Sequence, residues 1–175
     1  MESRTFIVHI SGPGCSGKSS LAEAIGGLFQ GTYYVAYDKL KWQLSGYNRD
    51  NDRPIIHAIQ KRLLEITLQL ELPVTTEMFL HDENEYNELQ AMSARYGYRT
   101  LYVALTAPRE VLLERFRARV ASAKEKGTKI SLTNENLFIE NLSRKSFVPS
   151  NTPVLDTSVS DVRAIAEKIA EELRN

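Results

Sequence analysis

Two rhythms alternate along the chain. Short runs of apolar and β-branched residues at 5–10, 32–36, 73–79, 99–105 and 153–156 predict five strands. Between them, apolar residues recur every three or four positions and predict helices. The first begins at Ser19 and is weakened and ended by Gly26, Gly27 and Gly31. Residues 40–52 are polar and aromatic and read as a short helix followed by a loop. Pro54 reads as the first residue of a long helix whose inward stripe is Ile55, Ile59, Leu63, Ile66 and Leu70. Asp82 and Glu85 have capping-box spacing ahead of Tyr86, Leu89, Met92 and Tyr96, and Gly97 closes that helix. Pro108 opens another, with Val111, Leu112, Phe116 and Val120 inward. Residues 121–131 lose the rhythm and carry Lys124, Lys126 and Lys129 around Gly127, as a mobile surface segment would. Thr133 begins a helix through Leu137, Phe138 and Leu142, and Asp161 caps a last one with Val162, Ile165, Ile169 and Leu173 inward.

Strand followed by helix, five times over, predicts a parallel sheet covered on both faces, an α/β three-layer fold. At 175 residues the chain suits a single domain spanning 1–175. Lysine plus arginine balance aspartate plus glutamate, so nothing draws the whole molecule to nucleic acid or to an anionic membrane. The one cysteine excludes an internal disulfide and a multi-cysteine zinc site. No apolar run reaches the length of a membrane span, and Met1-Glu2-Ser3-Arg4 lacks a signal-peptide layout. The expected location is the cytoplasm, and the expected state a monomer or a homodimer.

The chemistry concentrates after the first strand. Gly12-Pro13-Gly14-Cys15-Ser16-Gly17-Lys18-Ser19 fits G-x-x-x-x-G-K-[ST], the phosphate-binding P-loop, and Ser20 continues it into the helix. A strand, a glycine-rich turn and a helix N-terminus bring unpaired backbone N–H groups and the positive end of a helix dipole to one point. Gly12, Gly14 and Gly17 allow the backbone to wrap a phosphate. Lys18 is expected to reach the β- and γ-phosphates of a nucleoside triphosphate, and the Ser19 hydroxyl to ligate Mg²⁺.

Around this loop, four further side chains have the chemistry of phosphoryl transfer. Asp38, at the carboxyl end of the second strand, could accept the proton of an attacking hydroxyl, or merely cap a turn. Glu77, in the third strand, could hold Mg²⁺ or an acceptor, or pair with a lysine or arginine. Arg115 and Arg119, four apart, share a helix face before the lysine-bearing segment and could clamp a triphosphate from a lid over about 115–132. His9 reads as a core or sheet-end histidine, while His57 and His81 lack metal-ligand spacing and read as surface residues. Trp42 and the tyrosines read as packing. No N-K-x-D motif follows the late strands, so guanine specificity is not indicated, and ATP is the expected donor.

The P-loop, the strand-end Asp38 and Arg115-x-x-x-Arg119 together resemble the small P-loop kinases grouped around polynucleotide 5′-hydroxyl kinase, zeta-toxin-type kinases and chloramphenicol phosphotransferase. The similarity spans most of the first 120 residues. It implies a five-stranded core, Asp38 as the base that activates an acceptor hydroxyl, and lid arginines on the phosphates. The sequence departs from that family at the end of the third strand, where Thr75-Thr76-Glu77 stands in place of a frequent aspartate. The family's substrates range from nucleic-acid ends to antibiotics and small metabolites, so the resemblance does not choose among them. The expected activity is ATP- and Mg²⁺-dependent transfer to a hydroxyl of a small metabolite or nucleoside-like acceptor. The alternatives are a nucleotide switch or slow ATPase without an acceptor, and a nucleotide kinase whose acceptor is a phosphate. That last would need basic residues near Arg49 and Arg53 facing the cleft. Zero net charge argues against a long nucleic-acid track.

Overall fold

Phe6–Ser11 forms β1, a strand apolar at nearly every position because both of its faces are covered. The computed structural model describes residues 5–144 and 146–175, so the expectation concerning residues 1–4 lies outside the described residues. From β1 the chain runs through α1 (Lys18–Leu28), β2 (Tyr33–Val35), α2 (Tyr37–Lys41), α3 (Arg49–Gln69), β3 (Val74–Thr76) and α4 (Glu83–Arg95). It continues through β4 (Arg99–Thr106), α5 (Arg109–Lys126), α6 (Glu135–Leu142), β5 (Val154–Asp156) and α7 (Val162–Arg174). The strands pair in parallel in the order β2-β3-β1-β4-β5. This is the expected α/β three-layer P-loop fold.

Alternation along β1 builds two cores. Phe6, Val8 and Ile10 pack with Leu21 and Ile25 of α1 and with Ile165 and Ile169 of α7. Ile7, on the opposite face, packs with Leu64 and Leu68 of α3 and Leu89 and Met92 of α4. Each of these side chains is nearly or wholly removed from water, worth roughly 1.5–3 kcal/mol apiece. A third cluster joins Leu112 and Phe116 of α5 to Phe138 of α6, the two rings stacked at 4.3 Å.

Chain order also fixes the ligand edge. β2 and β3 lie on one side of β1, and β4 and β5 on the other, so the connections leaving β1 diverge at its carboxyl end. In open α/β sheets that divergence leaves a crevice. The turn after β1, residues just past β2 and residues just past β3 all converge there.

Several elements differ from the sequence reading. α3 begins at Arg49, five residues before Pro54, because Asn48 caps it, accepting from Asp50 N at 2.9 Å. Its buried stripe is Ile56, Gln60, Leu64, Thr67 and Leu68, whereas the expected Ile55, Ile59, Ile66 and Leu70 are exposed. The helix is rotated by about one position, or roughly 100°. The segment expected to lose structure from 121 stays helical to Lys126, where Gly127 ends α5 in a left-handed conformation (φ +62°). α6 starts at Glu135 rather than Thr133, capped by the Asn134 side chain. Asp82 caps α4 as expected, but Glu85 accepts from His81 N, one residue before the box would place it. Among the described residues, no helix is long and apolar enough to cross a membrane.

Candidate active site

The turn after β1 is shaped by close backbone approach. Gly12 has φ +138°, and a Cβ there would lie 2.4 Å from the Leu105 carbonyl oxygen. Only glycine satisfies both conditions. Gly17, at φ +94°, then leads directly into α1. Between them Cys15 is held at φ +63° and packs against the Phe116–Phe138 cluster, with the Phe138 ring lying over Gly14. Ser16 is fully buried and donates its hydroxyl to Pro13 O at 2.9 Å. The loop is therefore a rigid cradle rather than a flexible glycine-rich connection.

Lys18 folds back over this cradle. Its Nζ donates to Pro13 O at 2.9 Å and to Gly12 O at 3.1 Å, and lies 4.0 Å from Glu77 Oε2. Ser19 Oγ donates to Glu77 Oε1 at 3.0 Å. Glu77 sits one residue beyond β3, so the carboxylate stands at the sheet edge rather than inside the strand. Burial pushes its pKa up, while Lys18, the Ser19 hydroxyl and the charge of Arg119 pull against that shift. A Mg²⁺ site in such enzymes takes one or two protein oxygens and completes its shell with phosphate and water. Ser19 Oγ and Glu77 Oε1, side by side at the cradle's mouth, are hard oxygen donors of that kind, so these residues fit Mg²⁺.

The two arginines part company. Arg115 donates to Thr157 O at 2.7 Å, to Thr157 Oγ1 at 2.9 Å and to Cys15 O at 3.4 Å. Thr157 Oγ1 lies 3.1 Å from Ser16 O and 3.2 Å from Thr106 O, where its single proton is shared. Thr157 thus ties the P-loop, the end of β4 and α5 together just beyond β5. Nothing in the sequence distinguishes this threonine, and only the sheet order brings it beneath the loop. Arg119, one turn further along α5, is exposed, and its charge reaches Glu77.

Across the edge, Asp38 lies in the first turn of α2, two residues past the Ala36 cap. Its side chain is exposed, with Oδ1 held at 2.5 Å by Lys41, which is itself buried beside the Tyr37 and Trp42 rings. Tyr37 bonds Tyr47 through their hydroxyls at 2.7 Å, and its ring lies 4.8 Å from that of His57.

His57, half-buried, and His81, exposed as a surface residue would be, line a pocket of about 330 Å³ with Arg53, Met78, Phe79 and Glu85. The pocket runs on directly from Glu77, since Met78 and Phe79 follow it. Burial lowers the His57 pKa, and the neighbouring Arg53 charge lowers it further. His9 is fully buried and donates Nε2–H to Met78 O at 2.7 Å, with burial depressing its pKa to about 4. It shapes the floor of the edge rather than the chemistry upon it.

The family model described as AAA domain matches residues 7–137. Solved structures of similar fold include the Mycobacterium tuberculosis APS kinase in complex with AMPPNP and APS, 16% identical with a TM-score of 0.69, over 98% of this chain and 99% of that one. The tunicamycin resistance protein of Deinococcus radiodurans is 19% identical with a TM-score of 0.60, over 97% and 96%. A gluconokinase from Sinorhizobium meliloti is 20% identical with a TM-score of 0.58, over 99% and 97%. No curated protein matches the sequence.

Proposed function

The chain belongs to the AAA domain family, and we propose that it is an ATP-dependent phosphotransferase that moves the γ-phosphoryl group of Mg-ATP to a hydroxyl of a small acceptor. The observation that carries this reading is the placement of Glu77. One carboxylate lies against both Lys18 and Ser19 of the P-loop, and the next two residues line a pocket of metabolite size whose His57 ring packs on Tyr37, the neighbour of Asp38. Donor and acceptor spaces therefore share one strand end.

Each side chain takes a role that its geometry supports. Lys18 donates to two loop carbonyls, and a triphosphate in the cradle would compete for its three donors. Gly12, Pro13, Gly14, Cys15, Ser16 and Gly17 supply the backbone wrap, with Ser19 and Ser20 at the first turn of α1. Ser19 and Glu77 would hold Mg²⁺, which when bound neutralises charge on the phosphates. Lys41 fixes Asp38 Oδ1, and Oδ2 has no partner among the described residues, so Asp38 can accept the acceptor's hydroxyl proton as the new P–O bond forms and the bond from the γ-phosphorus to the departing ADP breaks. Arg119, exposed and with its charge acting on Glu77, would stabilise charge on the transferring group. Arg115 acts as a positioning residue through Thr157 and Cys15, holding the cradle against the sheet.

Likeness of fold to an APS kinase and a gluconokinase supports phosphotransfer without choosing an acceptor. The direct test is a panel of hydroxyl compounds incubated with γ-labelled ATP. A labelled product is expected from the wild type. Asp38→Asn is expected to lower transfer by about 10²–10⁴-fold while ATP affinity stays within a few-fold. Full-rate transfer by Asp38→Asn would remove Asp38 as the base.

A further inference from the structure

Arg53 lines the pocket and has no part in the proposed chemistry. A guanidinium has five N–H donors and no acceptor. Nε–H donates to His57 Nε2 and one Nη2–H to His81 Nε2, both at 3.4 Å, which leaves three N–H groups without a partner among the described residues. Because the guanidinium only donates, both Nε2 atoms are acceptors. His81 then turns Nδ1–H toward the Glu85 carboxylate at 2.9 Å. The two rings steady the guanidinium without neutralising it. Phe79 supports it from the side, with the guanidinium carbon 5.9 Å from the ring centroid.

Of the other charges in the pocket, Lys61 pairs with Glu88, while Glu85 accepts a hydrogen bond from the neutral His81 ring and has no cation in direct contact among the described residues. Among the described residues lining the pocket, Arg53 is the one permanent cation without a carboxylate partner. The remaining lining is largely apolar, with Pro54, Met78, Phe79, Leu89 and Met92. We propose that this pocket receives an acceptor bearing a carboxylate on an apolar body, the carboxylate anchored by Arg53 between His57 and His81. A carboxylate carries one negative charge and presents two oxygens to a planar donor fork, which is what a single unpaired guanidinium matches. A phosphate dianion would bring a second negative charge towards Glu85 and Glu88 with no further free cation to meet it. The proposal rests on the phosphotransferase reading only for the word acceptor. The site itself is defined without ATP.

Binding can therefore be measured without turnover. Benzoate, benzamide and phenyl phosphate are titrated into the full-length protein while the imidazole C–H resonances of His57 and His81 are followed by NMR. Benzoate is expected to shift both sets of resonances saturably, with benzamide at least about tenfold weaker. Arg53→Gln is expected to weaken benzoate by about 10–100-fold, with an otherwise unchanged backbone amide spectrum. Arg53→Lys, which keeps the charge but loses the fork, should fall between the two. Absence of a benzoate response, equal binding of benzamide, or undiminished binding by Arg53→Gln would each overturn the proposal. Tighter binding of phenyl phosphate than of benzoate would do the same, pointing to a phosphate-bearing acceptor. Failure to detect phosphoryl transfer to any compound would instead strike the catalytic reading and leave this binding result standing.

Discussion

Thr157→Val isolates the contact that holds the phosphate cradle in place. The substitution keeps the branched shape and removes one hydroxyl from a residue that is only 6% exposed. That hydroxyl accepts from Arg115 Nη1 at 2.9 Å and shares its proton between Ser16 O at 3.1 Å and Thr106 O at 3.2 Å. Thr106 O keeps a second donor, Thr157 N at 2.9 Å, and Arg115 keeps Thr157 O at 2.7 Å. The uncompensated losses are then one acceptor on Ser16 and one donor on Arg115. Leaving buried polar groups short of a partner costs about 1–3 kcal/mol. For a chain of this size each kcal/mol lowers Tm by about 2–4 °C, so a fall of about 2–12 °C is expected. Urea unfolding should show a lower midpoint with an unchanged slope. ATP affinity should drop by about threefold to tenfold, the equivalent of 0.6–1.4 kcal/mol, because Ser16 and Gly17 lose their tether. Thr157→Ser, which retains the hydroxyl, should recover most of both losses. A valine variant with wild-type Tm and wild-type ATP affinity would show that Thr157 does not tether the cradle.

Two other substitutions and one titration follow from the same structure. Gly12→Ala would place Cβ 2.4 Å from the Leu105 carbonyl at φ +138°, and should cost about 3 kcal/mol or more, with ATP binding lost by calorimetry. Gly26→Ala, in α1 with open space around its Cβ, should instead stabilise by about 0.5–1 kcal/mol. His9 titrates near 4 in the folded chain because it is buried, against 6.5 when exposed. The unfolded chain therefore binds the extra proton first as pH falls. Stability is complete above about pH 6.5 and should decline by about 3 kcal/mol on the way to pH 4. Urea unfolding across that window should show a shallower slope for His9→Gln than for the wild type.

The fold was legible in sequence because a parallel sheet covered on both faces writes near-continuous apolar strands, as at Ile7, Val8 and Ile10. The face of α3 was not. Ile55, Ile59, Leu63, Ile66 and Leu70 repeat at helical spacing, but so do Ile56, Gln60, Leu64, Thr67 and Leu68 one position on. The second set is buried because polar Gln60 reaches Val35 O and Thr67 bonds Leu64 O, so polarity concealed the true stripe. At the site, the P-loop could be read because its chemistry is local in sequence. Thr157 lies 141 residues from the carbonyl it approaches, and Arg53 lies 28 residues from His81. Such contacts have no spacing rule, and only the strand order β2-β3-β1-β4-β5 brings them together.

Transfer of a phosphoryl group from Mg-ATP to a hydroxyl at this sheet edge can be followed by ³¹P NMR of the reaction mixture. With a competent hydroxyl acceptor, the γ-phosphorus should leave ATP and reappear as a phosphate monoester, one for each ADP formed. Lys18→Ala should abolish the change. A resonance in the phosphoanhydride region would mean that the acceptor is itself a phosphate. ADP accompanied only by inorganic phosphate, across every hydroxyl compound offered, would contradict the claim and leave a nucleotide hydrolase or switch.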